Sequence, residues 1–243
     1  MTLVFHTASS RGFANHGWLQ ANHSFSFANF YDPKKMNFGA LRVLNDDLIA
    51  PSMGFGTHPH DNMEIITIPL SGLLKHKDSM GNSWEEVKAG EVQVMSAGTG
   101  IQHSEINGST SESLSLFQIW IVPNKKNVTP RYDQRYFEQS QDGELQVLVT
   151  SIADVSTSSS LKIHQDAQIS RINLSANKSF EYTLKSPNHG VYMMQVFGIS
   201  KIDSQEINTR DAVGISEVDK FKVDVLEDSQ LLFIEVPVTF GES

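Results

Sequence analysis

Short runs of β-branched and aromatic residues dominate this chain, and Gly, Asn, Asp, Ser and Pro separate them. The clearest runs lie at residues 64–70, 91–95, 116–122, 145–151, 191–197 and 231–236. Each run has the length of a β-strand, and turn residues recur about every 8 to 12 residues, a spacing typical of sandwiches and barrels. Helix signals are few and short. The pattern therefore predicts an all-β protein.

The 243 residues could form one large domain or two smaller ones. Residues 122–144 contain scattered prolines, lysines and arginines with little apolar periodicity, and strand-like runs resume at residue 145. Basic residues this scattered favour a solvated linker over a partner-binding patch. We therefore predict two β domains, residues 1–140 and 141–243, joined by this segment.

Composition excludes several classes of function. The chain has 19 Lys and Arg residues against 28 Asp and Glu residues, a net charge of −9, and no cysteine. The acidic balance argues against direct nucleic-acid binding, which depends on clustered Lys and Arg. Without cysteine there are no disulfides, thiolate metal sites or Cys nucleophile. A tightly bound transition metal would have to use imidazole and carboxylate ligands.

Neither a secretion signal nor a membrane span is evident in the sequence. The first residues, MTLVFHTASSRGF, lack the basic start and continuous apolar stretch of a signal peptide. No apolar run approaches the roughly 20 residues that would span a bilayer. We expect a soluble cytoplasmic protein without a membrane segment.

Two short motifs concentrate residues that can bind a metal. In His58-Pro59-His60 the two imidazoles are at positions i and i+2, which point to the same face of an extended segment. Pro59 favours that extended geometry because it restricts its own φ and the conformation of His58. In His103-Ser104-Glu105 an imidazole and a carboxylate have the same spacing, after the glycine-rich bend at residues 96–100.

Two strands that face each other with these motifs would form a site of three imidazoles and one carboxylate. Such a site suits a divalent first-row metal and leaves positions open for water, substrate or oxygen. A single histidine in a β protein is more often a hydrogen-bonded structural residue than a ligand. The presence of two i, i+2 pairs favours the metal site.

Other residues receive less weight. The sequence contains no GxSxG, HExxH, Walker or GxGxxG motif, so hydrolase, zincin and nucleotide-binding functions lack support. His76 is expected to be solvated among charged neighbours, and Asp46 and Asp47 to lie in a turn. For His16, Trp18 and His23 we favour packing of an N-terminal arm over a pocket wall. An apolar cavity for a flat aromatic ligand is expected from Phe55, Met63, Met95, Phe117 and Ile119.

Longer stretches resemble a known family. The segments RGFANHGWLQANHSFSFANFYDP, FGALRVLNDD, GFGTHPH and SAGTGIQHSE strongly resemble the pirin family of the cupin superfamily, and particularly the bacterial pirin-like proteins described as quercetin 2,3-dioxygenases. The similarity is most specific from about residue 11 to residue 137 and weaker beyond. It implies a bicupin, two packed β-sandwich barrels of the double-stranded β-helix type, in which the N-terminal barrel alone binds metal.

The resemblance also implies site residues and a metal. His58, His60, His103 and Glu105 would be the ligands, and Fe(II) would be the ion, with Mn, Ni, Co, Cu and Zn as alternatives. Glu64 matches a carboxylate that is a ligand in many cupins. We keep it as a residue that orients a ligating imidazole, as an alternative ligand or as a reserve catalytic base. Asp61 stands where pirins often have Arg, and Ala89 where Pro is usual. His164 and His189 have no HxH partner, which argues against a second metal site.

Three functions are consistent with these observations. The first is a metal-dependent dioxygenase that cleaves a flavonol such as quercetin with O2, with Glu105 as the catalytic base. The second is an iron-binding, redox-responsive regulatory protein that binds protein partners without turnover. The third is a cupin that carries out other metal-assisted chemistry on a small oxygenated substrate. Asp61 supports this alternative, because an anion in place of the usual Arg beside the site could change which substrate is accepted.

Overall fold

The computed structural model describes residues 1–81 and 83–239 of the chain. Their helical content is a 3₁₀ turn at Ala8–Ser10, and strands make up most of the rest. The first twelve strands are β1 (Thr2–His6), β2 (Gly12–Asn15), β3 (Leu19–His23), β4 (Leu41–Ile49), β5 (Gly54–His60), β6 (Glu64–Ser71), β7 (Leu73–Asp78), β8 (Glu85–Lys88), β9 (Glu91–Ser96), β10 (Ile101–Asn107), β11 (Leu114–Ile121) and β12 (Arg131–Tyr136). They are followed by β13 (Gln146–Ser151), β14 (Leu161–Ile163), β15 (Gln168–Leu174), β16 (Ser179–Thr183), β17 (His189–Phe197), β18 (Ser200–Ile202), β19 (Gln205–Ile207), β20 (Ala212–Ser216), β21 (Lys220–Val225) and β22 (Ser229–Pro237).

The strands form two sandwiches, each with one large and one small sheet. The N-terminal sandwich has a seven-stranded sheet in the order β12-β9-β6-β11-β4-β3-β2 and a four-stranded sheet in the order β5-β10-β7-β8. The C-terminal sandwich has a seven-stranded sheet, β1-β20-β17-β22-β15-β13-β14, and a four-stranded sheet, β16-β21-β18-β19. The predicted all-β fold with two β-sandwich barrels is confirmed.

Strand β1 belongs to the C-terminal barrel, although it opens the chain. It pairs antiparallel with β20, from Thr2 opposite Ser216 to His6 opposite Ala212. The N-terminal end of the chain is therefore held in the C-terminal barrel by backbone hydrogen bonds. The division into residues 1–140 and 141–243 stays a prediction.

The basic segment at residues 122–144 is not wholly a linker, and that part of the prediction was wrong. Strand β12 lies inside it and pairs along its length with β9, from Arg131 opposite Ser96 to Tyr136 opposite Glu91. β12 is the edge strand of its sheet, and edge strands commonly carry charged side chains. The sequence of β12 therefore lacks the apolar pattern by which the other strands were predicted.

The large N-terminal sheet is buried on both faces. Its outer face packs on the other barrel in one continuous core, which joins Phe117 and Ile119 to Tyr192 and Ile234. Its inner face contacts the small sheet of its own sandwich, where Leu116 packs with Leu74. Double-sided burial explains why strands β6 and β11 are almost continuously apolar.

In the described ranges, no helix is both long enough and apolar enough to cross a bilayer.

Candidate metal centre in the N-terminal barrel

Strands β5 and β10 lie side by side and bring the two histidine motifs together. They pair antiparallel, with His103 opposite His58 and Ile101 opposite His60. Residues of β10 alternate in burial, so His103 and Glu105 face the interior while Ser104 lies between them on the other face. The small sheet thus presents the imidazoles to the space between the two sheets of the sandwich.

The bend before β10 depends on glycine. Gly98 has φ +49°, and a Cβ at this position would collide with the carbonyl oxygen of Val128. The adjacent Ala97 donates its backbone N–H to the carbonyl oxygen of Met63 at 2.9 Å. The bend returns the chain beside β5, which places His103 next to His58.

The three imidazoles form a tight cluster. The Nε2 atoms of His58 and His103 are 2.9 Å apart. The ring centroids of His58 and His103 are separated by 4.4 Å, and His60 lies 4.8 Å from each of them. One nitrogen from each of the three rings falls within 4.8 Å of the others, close enough for one ion to reach all three.

The protonation states of the cluster suit metal binding. His58 Nδ1 lies 2.8 Å from the carbonyl oxygen of Gly56, so Nδ1 carries the proton and Nε2 is left with a free lone pair. Burial, followed by the neighbouring His58, lowers the pKa of His60 to about 4. Burial also lowers the pKa of His103 to about 4, with further lowering by the other histidines. The Nε2 atom of His60 is enclosed and has no hydrogen-bond partner among the described residues, as a metal ligand would require.

Glu105 is buried beside the cluster, and two glutamine side chains hold its carboxylate. Its Oε2 accepts a hydrogen bond of 2.7 Å from Gln118, and its Oε1 is 3.3 Å from Gln93 Nε2. Burial alone would raise the pKa of Glu105, but contacts with His76 and His103 outweigh burial and lower it. The carboxylate is therefore ionised. Glu105 forms a second group of candidate ligands with His76 and His103. His103 therefore belongs to both this group and the three-histidine cluster.

The expectation that His76 is solvated was wrong. Its side chain is only 1% exposed and stacks on Tyr132 at a centroid distance of 4.7 Å. His76 Nε2 lies 3.1 Å from Asp78, and Nδ1 lies 4.0 Å from Glu105 Oε1. Burial lowers the pKa of His76, but the two carboxylates outweigh burial and raise it. Its charged neighbours in the sequence misled the prediction because β7 alternates, so that His76 points inward.

Glu64 faces away from the cluster. Its Oε2 accepts a hydrogen bond of 2.7 Å from Ser96, and its Oε1 lies 3.5 Å from His164 Nδ1. The alternation of β6 explains this orientation, because Ile65 lines the cavity beside the histidines and Glu64 must then point to the opposite face. Glu64 is part of a buried polar contact with the C-terminal half of the chain.

A cavity of about 450 Å³ opens in front of the histidines. Apolar atoms make up most of its exposed lining, although about half of the lining residues carry a polar group. The lining residues include Trp18, Leu19, Ala21, His23, Phe27, Asn45, Asp47, Phe55, His58, His60, Ile65, His103, Glu105, Gln118 and Trp120. A mostly apolar cavity with a few convergent polar groups is the usual form of a small-molecule site.

The sequence identified only part of this lining. Phe55 lines the cavity as expected, whereas Phe117 and Ile119 point to the opposite face of β11 and pack between the barrels. Trp18 and His23 line the cavity, so the expectation that favoured arm packing over a pocket wall was wrong for them.

Asp46 and Asp47 are in the middle of strand β4, not in a turn. Asp47 lines the cavity, and so do Asn45, Gln118 and Trp120, which the sequence missed. Alternation of apolar and polar residues along β4 and β11 would have shown which side chains face the cavity. Both faces of these strands are buried, so the sequence does not show that alternation clearly.

The fold and the histidine cluster together define a two-barrel cupin with a candidate metal centre in its N-terminal barrel. Residues 4–121 match the Pirin family, and residues 148–236 match the quercetinase C-terminal cupin domain. The chain is 45% identical over 230 residues to quercetin 2,3-dioxygenase of Escherichia coli K12, covering 95% of this chain and 96% of that protein. It is 40% identical over 225 residues to the pirin-like protein of Caulobacter vibrioides, covering 92% of this chain and 95% of that one.

A solved structure shows the same relationship. The crystal structure of bacterial pirin YhhW from Escherichia coli in complex with nickel(II) superimposes with a TM-score of 0.90 at 42% identity, covering 97% of this chain and 99% of that one. The chain belongs to the pirin family.

Proposed function

We propose that this protein is a metal-dependent dioxygenase that opens the heterocycle of a flavonol such as quercetin, with release of carbon monoxide. The observation that carries the proposal is the cluster of three imidazoles at the wall of a mostly apolar cavity of about 450 Å³. A cavity of this size and character suits a small aromatic molecule. The name of the Escherichia coli relative supports the flavonol as substrate.

His58, His60 and His103 would hold the metal, with Glu105 as the carboxylate ligand. The neutral imidazoles and the unpartnered Nε2 of His60 fit a divalent ion. We propose Fe(II), with Mn, Ni, Co, Cu and Zn as alternatives, because imidazole and carboxylate ligands accept several first-row metals. A nickel(II) complex of one relative supports this range. When bound, such a metal would lower the pKa of the substrate hydroxyl and hold the substrate close to O2.

Glu105 is the proposed catalytic base. It is ionised, and Gln118 and Gln93 fix its carboxylate at the edge of the histidine cluster. In that position it can accept the proton of the flavonol 3-hydroxyl, provided that the hydroxyl lies within hydrogen-bond distance. Glu64 has no part in this proposal, because its carboxylate is engaged by Ser96 on the other face of the sheet.

The aromatic lining would orient the substrate and exclude water. Trp18 and Phe55 pack edge to face at a centroid distance of 5.2 Å, and Trp120 packs edge to face on His60 at 4.9 Å. These rings form apolar surfaces at both ends of the cavity, against which the flat rings of a flavonol can lie.

Metal-loaded protein, prepared without oxygen and then mixed with quercetin and O2, tests the proposal. We expect the flavonol absorbance band to disappear, carbon monoxide to be released, and both to require the metal. The Glu105→Gln variant should lose at least 100-fold in rate, in the range typical for removal of a general base. A variant of an exposed histidine outside the cluster, His16→Ala, should keep its metal content and serves as the control for loading.

Stoichiometric metal without loss of the flavonol would contradict the dioxygenase proposal. That result would favour the regulatory protein, and a partner complex recovered with the metal-loaded protein would then be the next observation to seek.

A further inference from the structure

A carboxyl group that none of the described residues engages lies in the wall of the cavity opposite the histidines. Asp47 is on the inner face of β4 and is only 4% exposed. Its Oδ1 atom is enclosed and has no hydrogen-bond partner among the residues that the structure describes. Buried carboxyl oxygens are almost always hydrogen-bonded, so an unpartnered one at a cavity wall is a group that a molecule in the cavity can engage.

The surroundings of Asp47 keep its carboxyl group neutral. Its neighbours across β3 and β11 are Ala21 and Leu116, which offer neither charge nor hydrogen bonds. Burial, followed by the negative charges of Asp46 and Glu105, raises the pKa of Asp47 to about 8. A neutral carboxyl group carries an O–H and can donate a hydrogen bond, which an ionised one cannot do.

Other polar groups on this wall have at least one hydrogen-bond partner within the protein. His23 Nδ1 and Asn45 Oδ1 are 2.9 Å apart, and the amide of Gln118 donates to Glu105. The arginines that compensate charge on β4 contact Asp46 instead, on the outer face of the strand. Asp47 is therefore a donor that remains free for a molecule in the cavity.

The position of Asp47 along the cavity defines which part of a ligand it would meet. On β11, Trp120 is in contact with His60, whereas Leu116 is the register partner of Asp47. Four residues of strand, about 13 Å, separate the residue that contacts His60 from the level of Asp47, and Gln118, which holds Glu105, lies midway between them. The end of the cavity near Asp47 is otherwise apolar, with Trp18, Leu19 and Phe55 around it.

We propose that Asp47 determines specificity by donating a hydrogen bond to a substrate oxygen outside the metal-binding group. This inference rests on the proposed function and deepens it. The ligand class is a flat aromatic compound of about a flavonol's length that bears a chelating enol and, remote from the enol, a second hydroxyl group. A compound that lacks the remote oxygen would leave Asp47 unpartnered and would bind more weakly.

Two flavonols separate this role from metal binding. Quercetin and 3-hydroxyflavone share the chelating 3-hydroxy-4-keto group, but 3-hydroxyflavone has no hydroxyl group elsewhere. Their dissociation constants are measured without oxygen on the metal-loaded wild type, Asp47→Leu and Asp47→Asn. Asp46→Asn, on the opposite face of the same strand, is the matched control.

We expect the wild type to bind quercetin about 10-fold more tightly than 3-hydroxyflavone, the effect of one neutral hydrogen bond. Asp47→Leu should lose this preference while it binds 3-hydroxyflavone as the wild type does. Asp47→Asn should keep it within about 3-fold, because its amide also donates. Asp46→Asn should keep it as well.

An unchanged preference in Asp47→Leu would overturn the inference, and so would equal losses for both flavonols or loss of the preference in Asp47→Asn. In each of these cases the wild type still binds flavonols. Failure of the proposed function is distinguishable, because the wild type would then bind neither compound or would bind quercetin and never consume it in oxygen.

Discussion

At the residue scale, burial sets the charge of the groups around the cavity and so determines what the cavity can bind. It makes His60 and His103 neutral, and it also keeps Asp47 protonated. Glu105 is the exception, because His76 and His103 lower its pKa against the effect of burial. The result is a site with neutral nitrogen ligands, one ionised carboxylate and one neutral acid.

The raised pKa of Asp47 predicts a pH-dependent stability. The folded state keeps the proton up to a pKa of about 8, whereas the unfolded state releases it near 3.8. Between these values the folded state binds more protons, so this group makes the free energy of unfolding fall as pH rises, by at most about 1.4 kcal/mol per pH unit. Asp47→Asn removes this dependence.

Urea unfolding of metal-free protein at several pH values between 5 and 8 measures the effect. The stability of Asp47→Asn relative to the wild type should increase steadily toward pH 8, and the exposed-site variant Asp61→Asn should follow the wild type. Parallel curves for the wild type and Asp47→Asn would show that Asp47 is ionised in the folded protein.

For individual residues, the sequence predicted the histidine cluster well but not the residues that surround it. An HxH motif in an extended strand places both imidazoles on one face whatever the rest of the fold does. The partners of Glu105 come from β9 and β11, far from it in sequence, and no local pattern connects them. Asp47 looked like a turn residue because two consecutive aspartates are rare inside a strand.

At the scale of elements, the close pairing of β5 with β10 positions the cluster. The register shifts between His103 and Glu105, because Gly56 and Thr57 of β5 lie opposite the single residue Ser104 of β10. A bulge reorients the side chains that follow it and is common beside functional sites. This irregularity lies on β5 beside the cluster, whereas β10 keeps its alternation and presents His103 and Glu105 on the same face, as the i, i+2 spacing predicted.

Gly54 tests the importance of this pairing. A Cβ at Gly54 would collide with the carbonyl oxygen of Glu105 and the Cα of Ile106, whereas a Cβ at Gly56, on the same strand, would meet nothing within 4 Å. We expect Gly54→Ala to destabilise the protein by about 1 to 3 kcal/mol, typical of overpacking, and to weaken metal binding because β10 must move.

Gly56→Ala is the matched control and should change stability by less than about 0.5 kcal/mol. Chemical denaturation and metal titration of both variants provide the comparison. Equal stability and equal metal affinity in the two variants would mean that the backbone contact between β5 and β10 is not needed for the site.

At the scale of the whole molecule, a continuous core couples the two barrels. It runs from Ile119 in the N-terminal barrel through Tyr192 to Ile234 in the C-terminal barrel, and β1 adds backbone pairing between the two halves of the chain. The strand pattern predicted two β domains and the family resemblance implied that they pack together, but neither identified the residues of the shared core, because apolar runs in strands do not reveal which face meets which partner.

We therefore expect the two barrels to unfold together. Tryptophan fluorescence reports the N-terminal barrel, since Trp18, Trp84 and Trp120 all belong to that part of the chain, whereas far-ultraviolet circular dichroism reports the strands of both barrels. The two signals should have the same urea midpoint, as in a two-state transition. Separate midpoints would show that the barrels are independent units.

The claim on which the whole account depends is that His58, His60 and His103 bind one metal ion. Metal content per chain after anaerobic loading, measured by elemental analysis, tests it most directly. We predict one ion in the wild type and in His16→Ala, and loss of most of it in His58→Ala and His103→Ala, each with a circular dichroism spectrum close to that of the wild type. Full occupancy in both His58→Ala and His103→Ala would contradict the assignment of the site.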